Sequence, residues 1–191
     1  MKKKNGVIIA VSAPSGTGKT TIVKKILCDF PELVFSVSAT TRKKRDYETE
    51  GVEYFFITED EFKSRIEKNE FIEWEKFYDY YYGTFKSYIE DNINNGKSVI
   101  VEIDVKGALE LKKIYPDSVL IFIYPPSLDE LEKRLTNRQT ENETDLKKRI
   151  ERAKMELSLK DKFDYFIEND DLEKAILEAE SLIKKIIYQE E

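Results

Sequence analysis

The chain has 191 residues, 40% of them apolar and 37% charged. That suits one compact domain with insertions and excludes a disordered polymer. A net charge of −6 argues against a general nucleic-acid binder, one cysteine (Cys28) excludes an internal disulfide framework, and the lack of histidine excludes any His-based triad, His metal cluster or imidazole switch.

Lys2-Lys3-Lys4 precedes an apolar run of about five residues, Val7 to Val11, too short for the core of a signal peptide. No stretch approaches the ~18 apolar residues of a membrane span. A soluble cytoplasmic protein is expected, monomer or homodimer, with neither membrane nor nucleic acid as partner. The Val7–Val11 run reads as a strand buried on both faces. A loop follows at Ser12–Gly18. Lys19 to Phe30 then carries Ile22, Val23, Ile26, Leu27 and Phe30 at helical spacing, and Pro31 stops it. Strand, glycine loop and helix open an α/β unit.

Residues 34–88 read differently. Phe35 to Ser38 alternates, Tyr54 to Ile57 reads as a strand, and Glu59 to Ile66 as a helix capped by Thr58. Phe71 to Trp74 and Tyr80 to Tyr82 add further short strands. Together they predict a small mixed sheet inserted into the main domain. The α/β pattern then resumes. A helix ends at Asn94 before the Asn95-Gly96 turn. Ser98 to Asp104 reads as a strand, Val105 to Tyr115 as a helix and Val119 to Tyr124 as a strand. Ser127 is placed to cap a helix from Leu128. Residues 136–145 are polar and turn-like between helices. Tyr165 to Ile167 is a last strand, and 171–188 an amphipathic helix.

Ala13-Pro14-Ser15-Gly16-Thr17-Gly18-Lys19-Thr20 matches G-x-x-x-x-G-K-[ST] with alanine first. Glycines let successive backbone N–H groups turn inward onto phosphate oxygens, and the helix N-terminus adds its dipole. Lys19 is placed for the β- and γ-phosphates and the Thr20 hydroxyl for Mg²⁺. The preceding strand and following helix are the context this pattern requires. Arginine supplies a second signal. Lysines number 25 and arginines 7, yet six arginines fall in two places: Arg42 and Arg45, then Arg134, Arg138, Arg149 and Arg152. Clustering of the scarcer cation suggests positions where a planar, five-donor fork clamps phosphate or carboxylate.

Ser38-Ala39-Thr40-Thr41-Arg42-Lys43-Lys44-Arg45, Gly51-Val52-Glu53-Tyr54-Phe55-Phe56, Phe71-Ile72-Glu73-Trp74, Tyr81-Tyr82-Gly83-Thr84 and Ile103-Asp104-Val105-Lys106-Gly107 follow the phosphate loop in order. Over nearly the whole chain this series resembles guanylate kinase. The resemblance implies the P-loop nucleoside monophosphate kinase fold: a parallel α/β core flanked by helices, with a mixed-β acceptor domain and a helical lid. The implied division is 1–33, 89–127 and 159–191 for the core, 34–88 for the GMP-binding domain and 128–158 for the lid. The implied reaction moves the γ-phosphoryl of ATP to GMP, and to dGMP, with Mg²⁺.

Residue roles carry over position by position. Glu73 matches the carboxylate that accepts the guanine N1–H and 2-amino donors, a pair that adenine lacks. Ser38 and Thr84 match the hydroxyls beside it, threonine standing where relatives usually have serine. Arg42, Arg45, Tyr54 and Tyr82 match the acceptor-phosphate ligands. Glu102 and Asp104, two apart on one strand, share a face near the end where α/β sheets bind ligands. Asp104 resembles the acidic residue that organises Mg²⁺, through water, or the acceptor. Glu102 is left open between a site role and a structural one. The donor side is implied to comprise Ala13, Pro14, Ser15, Gly16, Thr17, Gly18, Lys19, Thr20 and Thr21, with Arg134 beside adenine and Asn169 at the base. Lys19, Arg138 and Arg149 are the implied catalytic cations. A non-catalytic phosphopeptide-binding relative would be expected to have a degraded phosphate loop. A kinase of another phosphate ester would be expected to lose Glu73 and Ser38. A GTPase would carry Asn-Lys-x-Asp, which is absent.

Overall fold

The computed structural model describes residues 6–77, 79–136 and 143–188. In chain order the elements are β1 (Ile8–Ser12), α1 (Lys19–Asp29), β2 (Val34–Ser36), β3 (Ala39–Thr40), β4 (Phe55–Phe56), α2 (Glu59–Glu67), β5 (Phe71–Phe77), β6 (Tyr80–Phe85), α3 (Lys86–Asn94), β7 (Val99–Glu102), α4 (Val105–Ile114), β8 (Val119–Tyr124), α5 (Leu128–Thr136), α6 (Glu143–Leu157), β9 (Tyr165–Glu168) and α7 (Leu172–Tyr188). Five strands form a parallel sheet in the order β2-β7-β1-β8-β9, and four form a mixed sheet in the order β4-β3-β6-β5.

The run in β1 is apolar throughout because both faces of the strand are covered. Ile9 and Val11 join Ile100, Ile121 and Ile123 in a core that α1 and α7 close with Ile22, Val23, Ile26, Ala175, Ala179 and Ile183. Ile8 and Ala10 point the other way, with Val99, Val101, Leu120 and Phe122, onto Ile89 of α3 and Val105, Ala108 and Leu111 of α4. Chain direction across the sheet reverses at β1. From β1 the chain passes to β2, beyond β7, whereas β7 leads across to β8. Ligands of open α/β sheets sit in the crevice outside such a reversal, at the carboxyl ends of the strands.

Two sequence expectations change. Phe35 to Ser38 is not one strand of the inserted sheet. β2 pairs with β7 in the parallel sheet, and β3 begins the second sheet at Ala39. The strand predicted to reach Asp104 ends at Glu102, because Asp104 turns to cap α4 through the Gly107 N–H. The Thr58 and Ser127 caps form as expected, accepting from Glu61 N at 3.2 Å and Glu130 N at 3.1 Å.

The second sheet has its own small core of Ala39, Phe62 and Phe71, with Phe55, Ile66, Tyr81 and Phe85 against it. Gly83 on β6 lets Phe62 close over the sheet. A Cβ there would lie 2.9 Å from Phe62 Cζ and 3.0 Å from Phe71 Cδ1. Gly83→Ala is expected to destabilise the protein by about 1–3 kcal/mol through overpacking. Urea unfolding checks this, the outcome being a lower midpoint with native far-UV dichroism.

Candidate active site

The loop after β1 is held open by its own bonds and by a residue from the far side of the sheet. Gly16 and Gly18 have φ of +91° and +86°, conformations that favour glycine. The Thr17 hydroxyl donates to the Pro14 carbonyl at 2.9 Å. The Asn169 amide, just after β9, donates to the Thr17 carbonyl at 2.6 Å. A Cβ on Gly18 would stand 2.6 Å from that amide nitrogen. The loop therefore needs glycine at 18 for packing as well as for its backbone angle.

Lys19 begins α1 and donates from Nζ to the Ile103 carbonyl at 3.3 Å, with Glu102 Oε1 at 3.9 Å. Thr20 donates from Oγ1 to the same Glu102 oxygen at 2.5 Å. Ser12 ties the end of β1 to the exit of β7, its hydroxyl 2.8 Å from the Ile103 carbonyl. One threonine hydroxyl and one carboxylate thus meet beside the loop. Hard oxygen donors of this kind, few in number, suit Mg²⁺ carried largely by phosphates and water. Asp104, expected to organise Mg²⁺ through water or to meet the acceptor, lines the same cavity. Its Oδ1 accepts the Gly107 N–H at 2.6 Å and its Oδ2 meets Arg152 Nη2 at 2.9 Å. Burial works against the Asp104 charge, but hydrogen bonds involving Glu75 and the Gly107 N–H hold its carboxyl below the usual range.

Facing the loop is the second sheet. Glu73 on β5 is directly opposite Thr84 on β6, whose hydroxyl donates to Glu73 Oε1 at 2.6 Å. Burial pushes Glu73 up to about 7, against the Thr84 hydrogen bond, and the charges of Asp104 and Glu75 add to the rise. Tyr54 and Tyr82 meet edge to face at 5.9 Å. Burial, reinforced by the Glu102 charge, pushes Tyr54 up to about 12. Arg42 lies over the Tyr54 ring at 5.6 Å and is gripped by buried Glu48 at 2.9 and 2.7 Å. Arg45 donates to the Tyr47 hydroxyl at 2.7 Å.

A single cavity of about 430 Å³ unites these groups. Ala13 to Thr21 line one side and Ser38, Tyr54, Glu73 and Tyr82 the other, with Glu102, Asp104 and Arg149 between. Thr84 stands behind Glu73. Arg42 and Arg45 are not among the lining residues. Arg149 of α6 reaches Ser15 Oγ at 3.4 Å. Arg134 of α5 pairs with Glu130 at 3.0 Å and donates to the Asn169 carbonyl at 2.9 Å. Asn169, the expected base contact, thus donates from its amide to the phosphate loop, and its carbonyl accepts from Arg134. Arg138 lies outside the described residues.

Sequence reasoning missed Glu48, Glu75 and Glu156. Glu48 fixes Arg42, while Glu75 and Glu156 pair with Arg152 at 2.8 Å each. Glu156 is one helical turn from Arg152, a spacing visible beforehand. Glu75 carried only the alternation of a strand that placed it on the face of Glu73.

The raised Glu73 has a consequence for stability. Between about 4.5 and 7 the folded protein keeps on Glu73 a proton that the unfolded chain has released. The contribution of this group to stability therefore falls as pH rises through that window. Glu73→Gln, which keeps the shape and the Thr84 bond, is expected to raise the melting temperature by roughly 5 °C at pH 8. At pH 4.5 calorimetry should find little difference between the two proteins.

The guanylate kinase family model matches residues 4–186. A guanylate kinase of Thermotoga maritima is 46% identical over 179 residues, 94% of this chain and 86% of that protein. One from Mycoplasma genitalium is 47% identical over 180 residues, 93% of this chain and 75% of the relative. Among solved structures, guanylate kinase from Anaplasma phagocytophilum superposes with a TM-score of 0.77 at 32% identity, covering 95% of this chain and 86% of the other. With the phosphate loop, the facing carboxylate and the two-sheet architecture already in hand, these likenesses show that the chain belongs to the guanylate kinase family.

Proposed function

We propose that this protein transfers the γ-phosphoryl group of ATP to GMP, giving ADP and GDP. The observation that carries this reading is the shared cavity, with a phosphate loop on one wall and a buried, hydroxyl-supported carboxylate on the other. A donor on the loop and an acceptor whose base meets Glu73 lie end to end between them. Parallel sheet, second sheet and the α5–α6 pair act as core, acceptor unit and lid.

The chemistry asks little covalent work of the protein. A GMP phosphate oxygen is already anionic, so it attacks the γ-phosphorus without a general base, and the bond to the bridging oxygen of ADP breaks. Such a transition state is served by alignment and by neutralising the equatorial oxygens. Backbone N–H groups of residues 15–20 and the Lys19 ammonium bind the donor phosphates. Arg149 approaches them from the lid side. Arg42, steadied by Glu48, holds the acceptor phosphate with Arg45, Tyr54 and Tyr82. Thr20 and Glu102 would hold Mg²⁺, which would supply neutralisation of phosphate charge. Closure of the lid excludes water, which otherwise competes as acceptor.

Glu73 explains the choice of base. Its carboxylate accepts the two guanine donors, and a site built around such a pair rejects a base without it by about 10⁴. A coupled assay with ATP, Mg²⁺ and each nucleoside monophosphate tests the reading, and turnover is expected with the guanine acceptors GMP and dGMP and not with AMP, CMP or UMP. Lys19→Ala should lower kcat by about 10³ or more while the far-UV dichroism stays native. Because the carboxylate form binds guanine, KM for GMP should rise by about tenfold from pH 8 to pH 6. In Glu73→Gln that slope should shrink and discrimination against AMP should weaken. Equal turnover with AMP and GMP by the unmodified protein would refute the proposal.

A further inference from the structure

Arg149 and Arg152 stand three residues apart on α6 and so share one face of the helix. Arg149 touches Ser15 of the phosphate loop. Arg152 turns to the other half of the cavity. Its Nη2 bonds Glu75 Oε2 at 2.8 Å and Asp104 Oδ2 at 2.9 Å, and its Nε bonds Glu156 Oε1 at 2.8 Å. A single helix face thereby contacts the donor loop, the second sheet and the start of α4.

Glu75 is also well placed to report on the acceptor. It lies two residues from Glu73 on β5, with Glu73 opposite Thr84 and Glu75 opposite Tyr82. Side chains two apart on a strand project from the same face. Asp104 provides a second link. It caps α4 at Gly107, and a Cβ on Gly107 would lie 2.9 Å from Glu73 Oε2. The first turn of α4 is therefore packed directly on the carboxylate that faces the acceptor base.

An exposed ion pair would contribute little. Arg152 differs in that one guanidinium, 26% exposed, is shared by carboxylates from β5, from the α4 cap and from its own helix. Removing it leaves three partly buried carboxylates facing one another, which is costly for the closed arrangement.

We propose that Arg152 is a positioning residue that clasps the lid helix to the acceptor sheet through Glu75 and to the core through Asp104, so that filling the acceptor site tightens the donor site. The inference rests on the proposed GMP kinase function and names the contact that couples its two half-sites. An acceptor bonded to Glu73 fixes this stretch of β5, Glu75 fixes Arg152, and the angle of α6 then sets where Arg149 meets the donor phosphates. Binding coupling of this kind is reciprocal.

The test is calorimetric titration of the full chain with Mg²⁺ and β,γ-imido-ATP, with and without saturating GMP. The readout is the ratio of the two dissociation constants. In the unmodified protein GMP is expected to tighten analogue binding by about tenfold. Arg152→Gln and Glu75→Ala should each bring the ratio to about twofold or below, and the double variant should lose no more than either single one. Should Arg152→Gln fail to fold, Glu75→Ala reads the same contact from the sheet side. A folded, GMP-binding Glu75→Ala protein with an unchanged ratio would overturn the clasp alone. Losses that multiply in the double variant would overturn it as well. An unmodified chain that gives no heat with GMP would overturn the acceptor reading, and the clasp with it.

Discussion

The bond from the Asn169 amide to the Thr17 carbonyl, 2.6 Å long, joins the phosphate loop to the chain just after β9. An anion cradle made of backbone N–H groups works only if those groups already point inward before the anion arrives. Two glycines permit that shape, but permission is not enforcement. Enforcement comes from Thr17 on Pro14, from Asn169 on Thr17, and from Ser12 tying β1 to the exit of β7. Arg134 then holds the Asn169 carbonyl from α5, and Leu131 and Leu135 of the same helix pack over Gly16. Helix α5 is thus built onto the back of the phosphate loop.

Charge in the cavity follows a second constraint. Glu73, Glu75, Glu102, Asp104 and Glu156 line it together with Lys19, Arg149 and Arg152. Carboxylates outnumber cations there, although the substrates are themselves anions. The excess is distributed by task. Glu102 sits against Thr20 beside the phosphate loop. Glu73 is held by the Thr84 hydroxyl on the facing sheet. Glu75, Asp104 and Glu156 are gathered around Arg152. No two of these jobs are interchangeable, because each depends on which strand or helix turn carries the side chain. The buried Glu73 bears the strain of the arrangement: burial and the neighbouring Asp104 and Glu75 charges push it up to about 7.

Periodicity and local chemistry were enough to read the strand, loop and helix at residues 8–29, the two capped helices at Thr58 and Ser127, and the amphipathic α7. These features depend on neighbours within a few residues, so the chain alone specifies them. The ordered motifs likewise brought Ser38, Tyr54, Glu73 and Tyr82 together with the phosphate loop, as the cavity does. Local pattern misled where a residue answers to something distant. Phe35 alternates as any strand does, and nothing near it reveals that β2 pairs with β7 instead of joining the second sheet. Asp104 looked like a strand carboxylate until the chain turned there to begin α4.

A linear reading thus carried the family: a phosphate-loop motif, a set of scarce arginines and a series of motifs in order along the chain. Folding decided the partners. Glu102 meets Thr20, Asn169 bonds the loop at Thr17, Glu48 grips Arg42, and Arg152 gathers carboxylates from three elements. The reason is geometric. Motif spacing encodes contacts along one strand or one helical turn, whereas an ion pair between residues 75 and 152 exists only once β5 and α6, far apart in sequence, are brought face to face.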